Sequence, residues 1–201
     1  GENIVTLTVT DVNGNVSTCE ATVTIEDNVD PEAICQDITV ELDENGEAVL
    51  TAADIDGGST DACGLASIEI DAEDVNWGCD DIGENTVTLT VTDNNGNVST
   101  CEATVTIEDN IDPEAICEDI TIQLDEDGAA TITAVDIDGG SADACGLASI
   151  EIASDDADWN CDEVGENTVT LTVTDNNGNS STCEATVTVE DNIPPVLDCP
   201  N

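Results

Sequence analysis

The chain has 201 residues, of which 48 are Asp or Glu and none is Lys, Arg or His, so its formal net charge is −48. Ion pairs between side chains are therefore impossible, and nucleic acid and anionic membrane surfaces are excluded as partners by the sign of the charge. Positive charge has to come from outside the chain, and a hard divalent cation bound through oxygen ligands is the obvious source.

The other compositional features indicate a folded extracellular protein. High acidity with few aromatic residues is also typical of disorder, but here 39% of the residues are hydrophobic and they alternate with Thr as in strands. Ten Cys residues without CxxC pairs or His favour disulfides in an oxidising compartment over a metal–thiolate site. The chain starts with Gly and has no long apolar run, so we expect an internal piece of a longer secreted or cell-surface protein, not inserted in a membrane.

One sequence unit recurs along the chain. GENIVTLTVTDVNGNVSTCEATVTIEDNV begins at residue 1, and close copies begin at residues 83 and 165, a period of 82 residues. A unit of this length predicts a small domain. We therefore expect the end of one repeat at 1–29, a first full repeat at 30–111, a second full repeat at 112–193, and the start of another at 194–201.

Within the first repeat, alternating β-branched segments and Asn-Gly turns predict strands in chain order. Asn45-Gly46 predicts a hairpin between the first two strands, and Asn95-Gly96 predicts another between the last two. The predicted strands cover 36–43, 47–54, 65–71, about 76–80, 85–93 and 98–109. Such short strands without helical periodicity are typical of an all-β sandwich.

The segment NTVTLTVTDNNGNVSTCEATVTIED, followed by a linker with Pro and a Cys, resembles the hyalin repeat module. That resemblance implies an immunoglobulin-like sandwich of the kind found in extracellular adhesive proteins, here as tandem repeats in a linear array. The form with DIDGGSTDACG and a second Cys pair resembles arrays in large surface or secreted proteins of Bacteroidota-type bacteria. Unlike the usual module, this one has almost no aromatic residue apart from Trp77 and Trp159.

Each repeat contains four Cys, so three pairings are possible. In a sandwich of this topology the first and last strands run parallel from one end, which predicts Cys35–Cys101 and Cys117–Cys183. The remaining residues are then predicted to pair locally, as Cys63–Cys79 and Cys145–Cys161. Cys19 and Cys199 are expected to pair with neighbouring units, and a rival pairing of Cys19 with Cys35 has to cross a whole extended strand.

Acidic loops and linkers are predicted to converge on the junctions between successive repeats, and Ca²⁺ suits such oxygen-rich sites. EDNVDPE also resembles the calcium-binding linkers of cadherin-like arrays. The alternative is that these residues form ordinary solvated turns, since DIDGGSTD is not an EF-hand loop. The candidate calcium ligands are Glu26, Asp27, Asp30, Asp54, Asp56, Asp61, Asp93, Glu108, Asp109, Asp112, Asp136, Asp138, Asp143 and Asp175.

Other surface features suggest further hypotheses. The Thr-rich strand faces could bind ice or carbohydrate, but polar faces are ordinary in half-buried strands. Asn15, Asn97 and Asn179 stand in N-glycosylation sequons that follow hairpin turns. Catalysis is not expected, because the carboxylates recur in identical copies and the Ser residues have no His or Lys base.

We therefore expect a structural extracellular array, a fibre, filament or adhesin stalk, stiffened by disulfides and calcium and partnered by further copies of the same repeat. One alternative is an adhesive module that binds glycans or cells, which predicts a distinctive patch on one repeat. Another is a passive spacer in a large secreted enzyme.

Overall fold

The computed structural model describes residues 1–71, 75–153 and 157–195. Its contacts divide the chain into two compact units. The first comprises Gly1–Ile38, Val49–Asn76 and Glu84–Thr106; the second comprises Thr39–Ala48, Trp77–Gly83 and Ile107–Asn201. Among the described residues, the helices are too short to cross a membrane.

The fold is all-β, as the sequence predicts. Its strands are β1 Glu2–Thr10, β2 Val16–Thr24, β3 Ile38–Glu41, β4 Glu47–Val49, β5 Leu65–Ile70, β6 Asn76–Gly78, β7 Gly83–Asp93, β8 Val98–Glu108, β9 Ile120–Gln123, β10 Ala129–Thr131, β11 Leu147–Ile152, β12 Asp158–Asn160, β13 Gly165–Asp175 and β14 Ser180–Glu190. The short helices are α1 Ala52–Ile55 and α2 Ala134–Ile137, and 3-10 turns follow at Cys79–Asp81 and Cys161–Glu163.

The second repeat forms an immunoglobulin-like sandwich of two sheets. Four strands follow the order β11-β13-β14-β9, and β10 pairs with β12 in a separate ribbon. β9 runs parallel to β14, with Ile120 opposite Val187, whereas the other neighbours are antiparallel. The first repeat has the matching strand orders β3-β8-β7-β5 and β4-β6. The predicted parallel pairing of first and last strands is therefore present in the second repeat.

Alternation along β13 and β14 supplies the core of this sandwich. Val169, Leu171 and Val173 are fully buried on one face of β13, while the Thr residues between them face outward. Across the layer they pack in one cluster with Trp159 of the β10–β12 ribbon and with Ile137 of α2. One Trp and small aliphatic side chains thus fill a core that has no Phe or Tyr available.

The Asn95-Gly96 hairpin turn forms where the sequence predicts it. In the β7–β8 turn, Oδ1 of Asp93 accepts hydrogen bonds from the backbone N–H groups of Asn95 and Asn97, both at 2.8 Å. Gly96 has a φ of 95°, which only glycine adopts readily. The buried Asp93 carboxylate therefore organises the turn from inside.

The predicted strand at 47–54 is only partly a strand. Residues Glu47–Val49 form β4, but Thr51 then caps α1: its N–H and its hydroxyl both donate to Oδ2 of Asp54, at 2.8 and 2.6 Å. The chain does turn after Asp43, whose carbonyl accepts from the N–H of Gly46 at 2.8 Å. β4 nevertheless pairs with β6 and not with β3, so the predicted β3–β4 hairpin is wrong.

Candidate functional site

Two disulfides join the residues that the sequence pairs. Cys35 is bonded to Cys101 and Cys117 to Cys183, each with Cα atoms 5.8 Å apart. In the second repeat the disulfide lies just before the parallel β9–β14 pairing begins. There the N–H of Thr186 also donates to Oδ1 of Asp119 at 2.6 Å. The disulfide and this hydrogen bond together hold the first strand against the last.

The second Cys pair of each repeat is connected differently from the prediction. Cys79 is bonded to Cys145, with Cα atoms 5.2 Å apart, so the predicted local pairs Cys63–Cys79 and Cys145–Cys161 are wrong. Cys145 stands just before the six-residue strand β11, and Cys161 follows only after that strand and β12. A strand of this length spans about 20 Å, far beyond the reach of a disulfide. The observed disulfide therefore joins two successive repeats.

The remaining cysteines of the described residues carry free thiols. Cys19, Cys63 and Cys161 are unpaired and exposed, whereas Cys199 lies outside the described residues. The rival pairing of Cys19 with Cys35 does not occur, because Cys35 is bonded to Cys101. Partners for Cys19 and Cys199 in neighbouring units remain a prediction.

Each sequon Asn in the full repeats clamps the preceding linker. The Nδ2 of Asn97 lies 3.2 Å from the carbonyl oxygen of Asp27 and 3.1 Å from that of Val29. The Nδ2 of Asn179 repeats the contact with the carbonyl oxygen of Asp109 at 3.1 Å. A glycan on either nitrogen would have to replace these hydrogen bonds, so the structure disfavours glycosylation there. Asn15 is exposed, and its Nδ2 donates to the Asp11 carboxylate at 2.8 Å.

Two carboxylates and one cysteine meet beside each clamped linker. Oxygen and sulfur atoms lie within 4.8 Å of one another in the group of Asp109, Asp143 and Cys145, and likewise in the group of Asp27, Asp61 and Cys63. We name these groups the second and first acidic clusters. Calcium prefers oxygen to sulfur, so the carboxylates are the candidate ligands. In the second cluster the sulfur is also committed to the disulfide.

Asp109 is the residue that distinguishes the second cluster from an ordinary turn. Its side chain is 7% exposed, and Oδ1 accepts from the N–H of Ile111 at 3.1 Å. Oδ2 is buried and makes no hydrogen bond within the described part of the chain. Burying a carboxylate oxygen that has no hydrogen-bond donor is unfavourable, because no interaction replaces its lost hydration. A bound cation would supply that interaction.

Asp143 of the second cluster also lines an acidic groove of about 630 Å³. Carboxylates of Glu44, Asp112, Glu114 and Asp143 contribute to its walls, together with the amide of Asn45. The remaining lining residues are Ile111, Ala142 and Ala144. Side chains with the kind of oxygen that calcium binds are therefore grouped on the Asp143 side of the second cluster.

Several predicted calcium ligands are engaged in local turns. Oδ2 of Asp54 and Oδ2 of Asp136 accept from the capping Thr residues, and Oδ1 of Asp56 and Oδ1 of Asp138 accept from Ser N–H groups. Oxygens of Asp93 and Asp175 organise hairpin turns. Glu26, Asp30 and Glu108 are exposed and lie outside both clusters. Of the predicted set, the clusters bring together only Asp27 with Asp61 and Asp109 with Asp143.

The turn hydrogen bonds also set the acidity of these groups. The hydroxyl of Thr51, followed by its N–H, lowers the pKa of Asp54. The side chain and then the N–H of Ser59 lower the pKa of Asp56 in the same way. In the first cluster, a hydrogen bond and the negative charge of Asp27 raise the pKa of the Cys63 thiol. The turn hydrogen bonds therefore favour the ionised form of these two Asp residues, whereas Asp27 favours the protonated form of the Cys63 thiol.

Comparison with known proteins gives one curated relative. Hyalin of Strongylocentrotus purpuratus is 30% identical over 148 residues, which cover 70% of this chain but only 12% of that protein. No family model matches the chain. Hyalin is thus a relative in sequence over a small part of its own length.

Solved structures with immunoglobulin or cadherin domains are also similar. Human protocadherin-24 EC1-2 has a TM-score of 0.44 at 12% identity, covering 83% of this chain and all of that one. Titin domains I67–I69 have a TM-score of 0.38 at 12% identity, covering 94% of this chain and 75% of that one. These TM-scores are too low to support an inference about this chain.

Proposed function

We propose that this chain is part of an extracellular structural array, a fibre, filament or adhesin stalk, in which disulfides and calcium hold successive repeats together. The observation that carries the proposal is the Cys79–Cys145 disulfide, which joins one repeat covalently to the next. An enzyme or a soluble binding module has no evident need for such a bond. A chain that bears mechanical load does.

The second acidic cluster supports calcium as the other component. Asp109 belongs to the linker, and Asp143 belongs to the loop that also carries Cys145. A cation held between their carboxylates would tie the linker to the second repeat beside the disulfide. It would also offset part of the repulsion that a net charge of −48 imposes.

Extracellular location and further copies of the repeat as partners belong to the same proposal. The three disulfides among the described residues need an oxidising compartment, and the similarity to Hyalin fits an extracellular protein. Near-identical repeats favour self-similar assembly over recognition of one glycan or cell. They do not present the distinctive patch that an adhesive module predicts.

The experiment is a calcium titration by calorimetry, paired with thermal melts in calcium and in excess chelator. Calcium should raise the melting temperature, and chelator should lower it, because only the folded chain assembles the clusters. We expect two tight sites at physiological ionic strength, one per cluster. Magnesium should compete poorly, since it gives up its waters reluctantly.

Asp109→Asn tests the cluster directly. It should remove one of the two calcium sites and leave the other unchanged. Glu151→Gln is the matched control, because it removes the same charge from an exposed position on β11. Equal losses for both variants, or a melt unaffected by chelator, would show that calcium binding is only diffuse screening by a polyanion.

A further inference from the structure

The two free cysteines Cys63 and Cys161 occupy the positions of a bonded pair. One repeat period separates Cys63 from Cys145, and the same period separates Cys79 from Cys161. Cys79 and Cys145 form the disulfide between the first and second repeats. Each free thiol therefore stands where its copy in the other repeat is cross-linked.

The loop around Cys63 has the same local geometry as the loop around bonded Cys145. The N–H of Cys63 donates to Oδ1 of Asp61 at 2.7 Å, and the N–H of Cys145 donates to Oδ1 of Asp143 at 2.7 Å. From the next hairpin turn, an Asn amide donates to the carbonyl oxygen of each cysteine, at 3.0 Å for Cys63 and 2.9 Å for Cys145. The free loop is thus preorganised in its bonded shape.

The loop around Cys161 likewise matches the loop around bonded Cys79. Cys79 Sγ lies 3.9 Å from the carbonyl oxygen of Gly46, and Cys161 Sγ lies 3.8 Å from that of Gly128. A Cβ atom on Gly46 would come within 2.7 Å of Cys79 Sγ, and one on Gly128 within 2.8 Å of Cys161 Sγ. Both glycines also have positive φ. In each turn the sulfur therefore occupies the space that a Cβ atom would fill.

We propose that Cys63 and Cys161 are the two halves of a disulfide relay, in which every repeat is bonded to the repeat before it and to the repeat after it. Cys161 takes the Cys63-type cysteine of a following repeat, and Cys63 takes the Cys161-type cysteine of a preceding one. The inference rests on the proposed repeat array. It adds that the array is one continuous covalent ladder.

Each relay bond forms by oxidation of two thiols. The two thiols lose two protons and two electrons as the S–S bond forms, and a disulfide oxidant takes up both and becomes two thiols. Oxidised glutathione serves as that oxidant in the test, yielding two molecules of reduced glutathione for each bond.

The test is an extended chain in which residues 1–193 are followed directly by a second copy of residues 30–193. At the fusion, Glu190-Asp191-Asn192-Ile193 precedes Asp30-Pro31-Glu32, which reproduces the natural sequence of residues 108–114. After oxidation with glutathione, free thiols are alkylated and the unreduced chain is cut with an acidic-residue-specific protease. Mass spectrometry then identifies the linked peptides.

The relay predicts a peptide that joins Cys161 to Cys63 of the second copy, while Cys63 of the first copy remains alkylated. In the original 201-residue chain Cys161 should be alkylated instead. A Cys63→Ser change in the second copy alone should return Cys161 to the alkylated state. Linked peptides Cys35–Cys101 and Cys117–Cys183 in the same digest show that the repeats are folded.

The relay is refuted if the folded extended chain yields no peptide that links Cys161 to Cys63, or if it yields a peptide that links Cys161 to Cys145 of the same repeat. Mapping is carried out both in calcium and in chelator, because a disulfide map does not depend on bound cation. If the melt is insensitive to chelator but the relay disulfides are found, calcium is removed from the proposed function and the disulfide relay is still supported.

Discussion

The hairpin β1–β2 and the hairpin β13–β14 are nearly the same sequence in two environments. Residues 1–25 and 165–189 differ at only four positions, and their strands share one register, with Leu7 opposite Cys19 and Leu171 opposite Cys183. Yet Leu7 is 60% exposed, whereas Leu171 is 0% exposed. The local hairpin is therefore encoded within about 25 residues, whereas the burial that stabilises it depends on strands far away in the sequence.

The largest expected difference between the two hairpins concerns the Cys117–Cys183 disulfide, which has no equivalent at Cys19. Removing it with Cys117→Ser and Cys183→Ser should cost about 4 kcal/mol of unfolding free energy, because the bond closes a loop with a sequence separation of 66. Cys19→Ser, the equivalent change in β2, removes no bond and should change nothing. Urea melts followed by the fluorescence of Trp159 in a Trp77→Phe background would measure both. A similar cost for both variants would contradict the comparison.

Core packing should give the next largest effect. Leu171→Ala leaves a cavity among Val169, Val173 and their neighbours and should cost about 3 kcal/mol. Leu7→Ala truncates an exposed side chain and should stay within about 0.5 kcal/mol. The same melts distinguish them. A loss of several kcal/mol at Leu7 would mean that this hairpin is covered in solution.

The turn carboxylates should show a smaller contrast. Oδ1 of buried Asp175 accepts from the N–H groups of Asn177, Gly178 and Asn179, so Asp175→Ala leaves donors unpaired and should cost about 2 kcal/mol. Asp11 makes similar bonds at an exposed turn where water can replace them, and Asp11→Ala should cost less. Hydrogen exchange of the turn amides, with Asp125→Ala as a control at an unrelated turn, would check this. Equal protection losses in both hairpins would contradict it.

The smallest effect is a pH dependence of the exposed hairpin. The side-chain amide of Asn15, followed by its N–H, lowers the pKa of Asp11 from 3.8. Because the folded pKa lies below the unfolded one, the turn is stabilised above pH 3.8 and loses that contribution as pH falls through the folded pKa. Asn15→Ala should raise the pKa of Asp11 toward 3.8, as measured by NMR titration of the carboxyl carbon. An unchanged pKa would show that the backbone donors alone set it.

The sequence predicts those features that depend on local chemistry. Alternation located β7, β8, β13 and β14, and the Asn-Gly pairs located their turns, because side-chain period and turn geometry are both short-range. Cys35–Cys101 followed from the parallel pairing of first and last strands. The Asp109–Asp143 pair was within reach of the same reasoning, since strand direction brings linker and loop to one junction.

Features that depend on competition between distant segments were not predicted. Thr51 and Asp54 look like the end of a strand, but their mutual hydrogen bonds close a helical turn instead. Cys79 and Cys145 belong to different repeats, and pairing rules applied within one repeat cannot join them. The signal that could have found this bond is the length of β11, which keeps Cys145 and Cys161 apart just as a strand keeps Cys19 from Cys35.

The three disulfides among the described residues overlap along the sequence. They close the segments 35–101, 79–145 and 117–183, so every peptide bond from residue 35 to residue 183 lies inside at least one closed loop. A single proteolytic nick anywhere in that stretch leaves both halves covalently attached. A fibre built in this way would tolerate many cuts by secreted proteases before its chain separated into pieces.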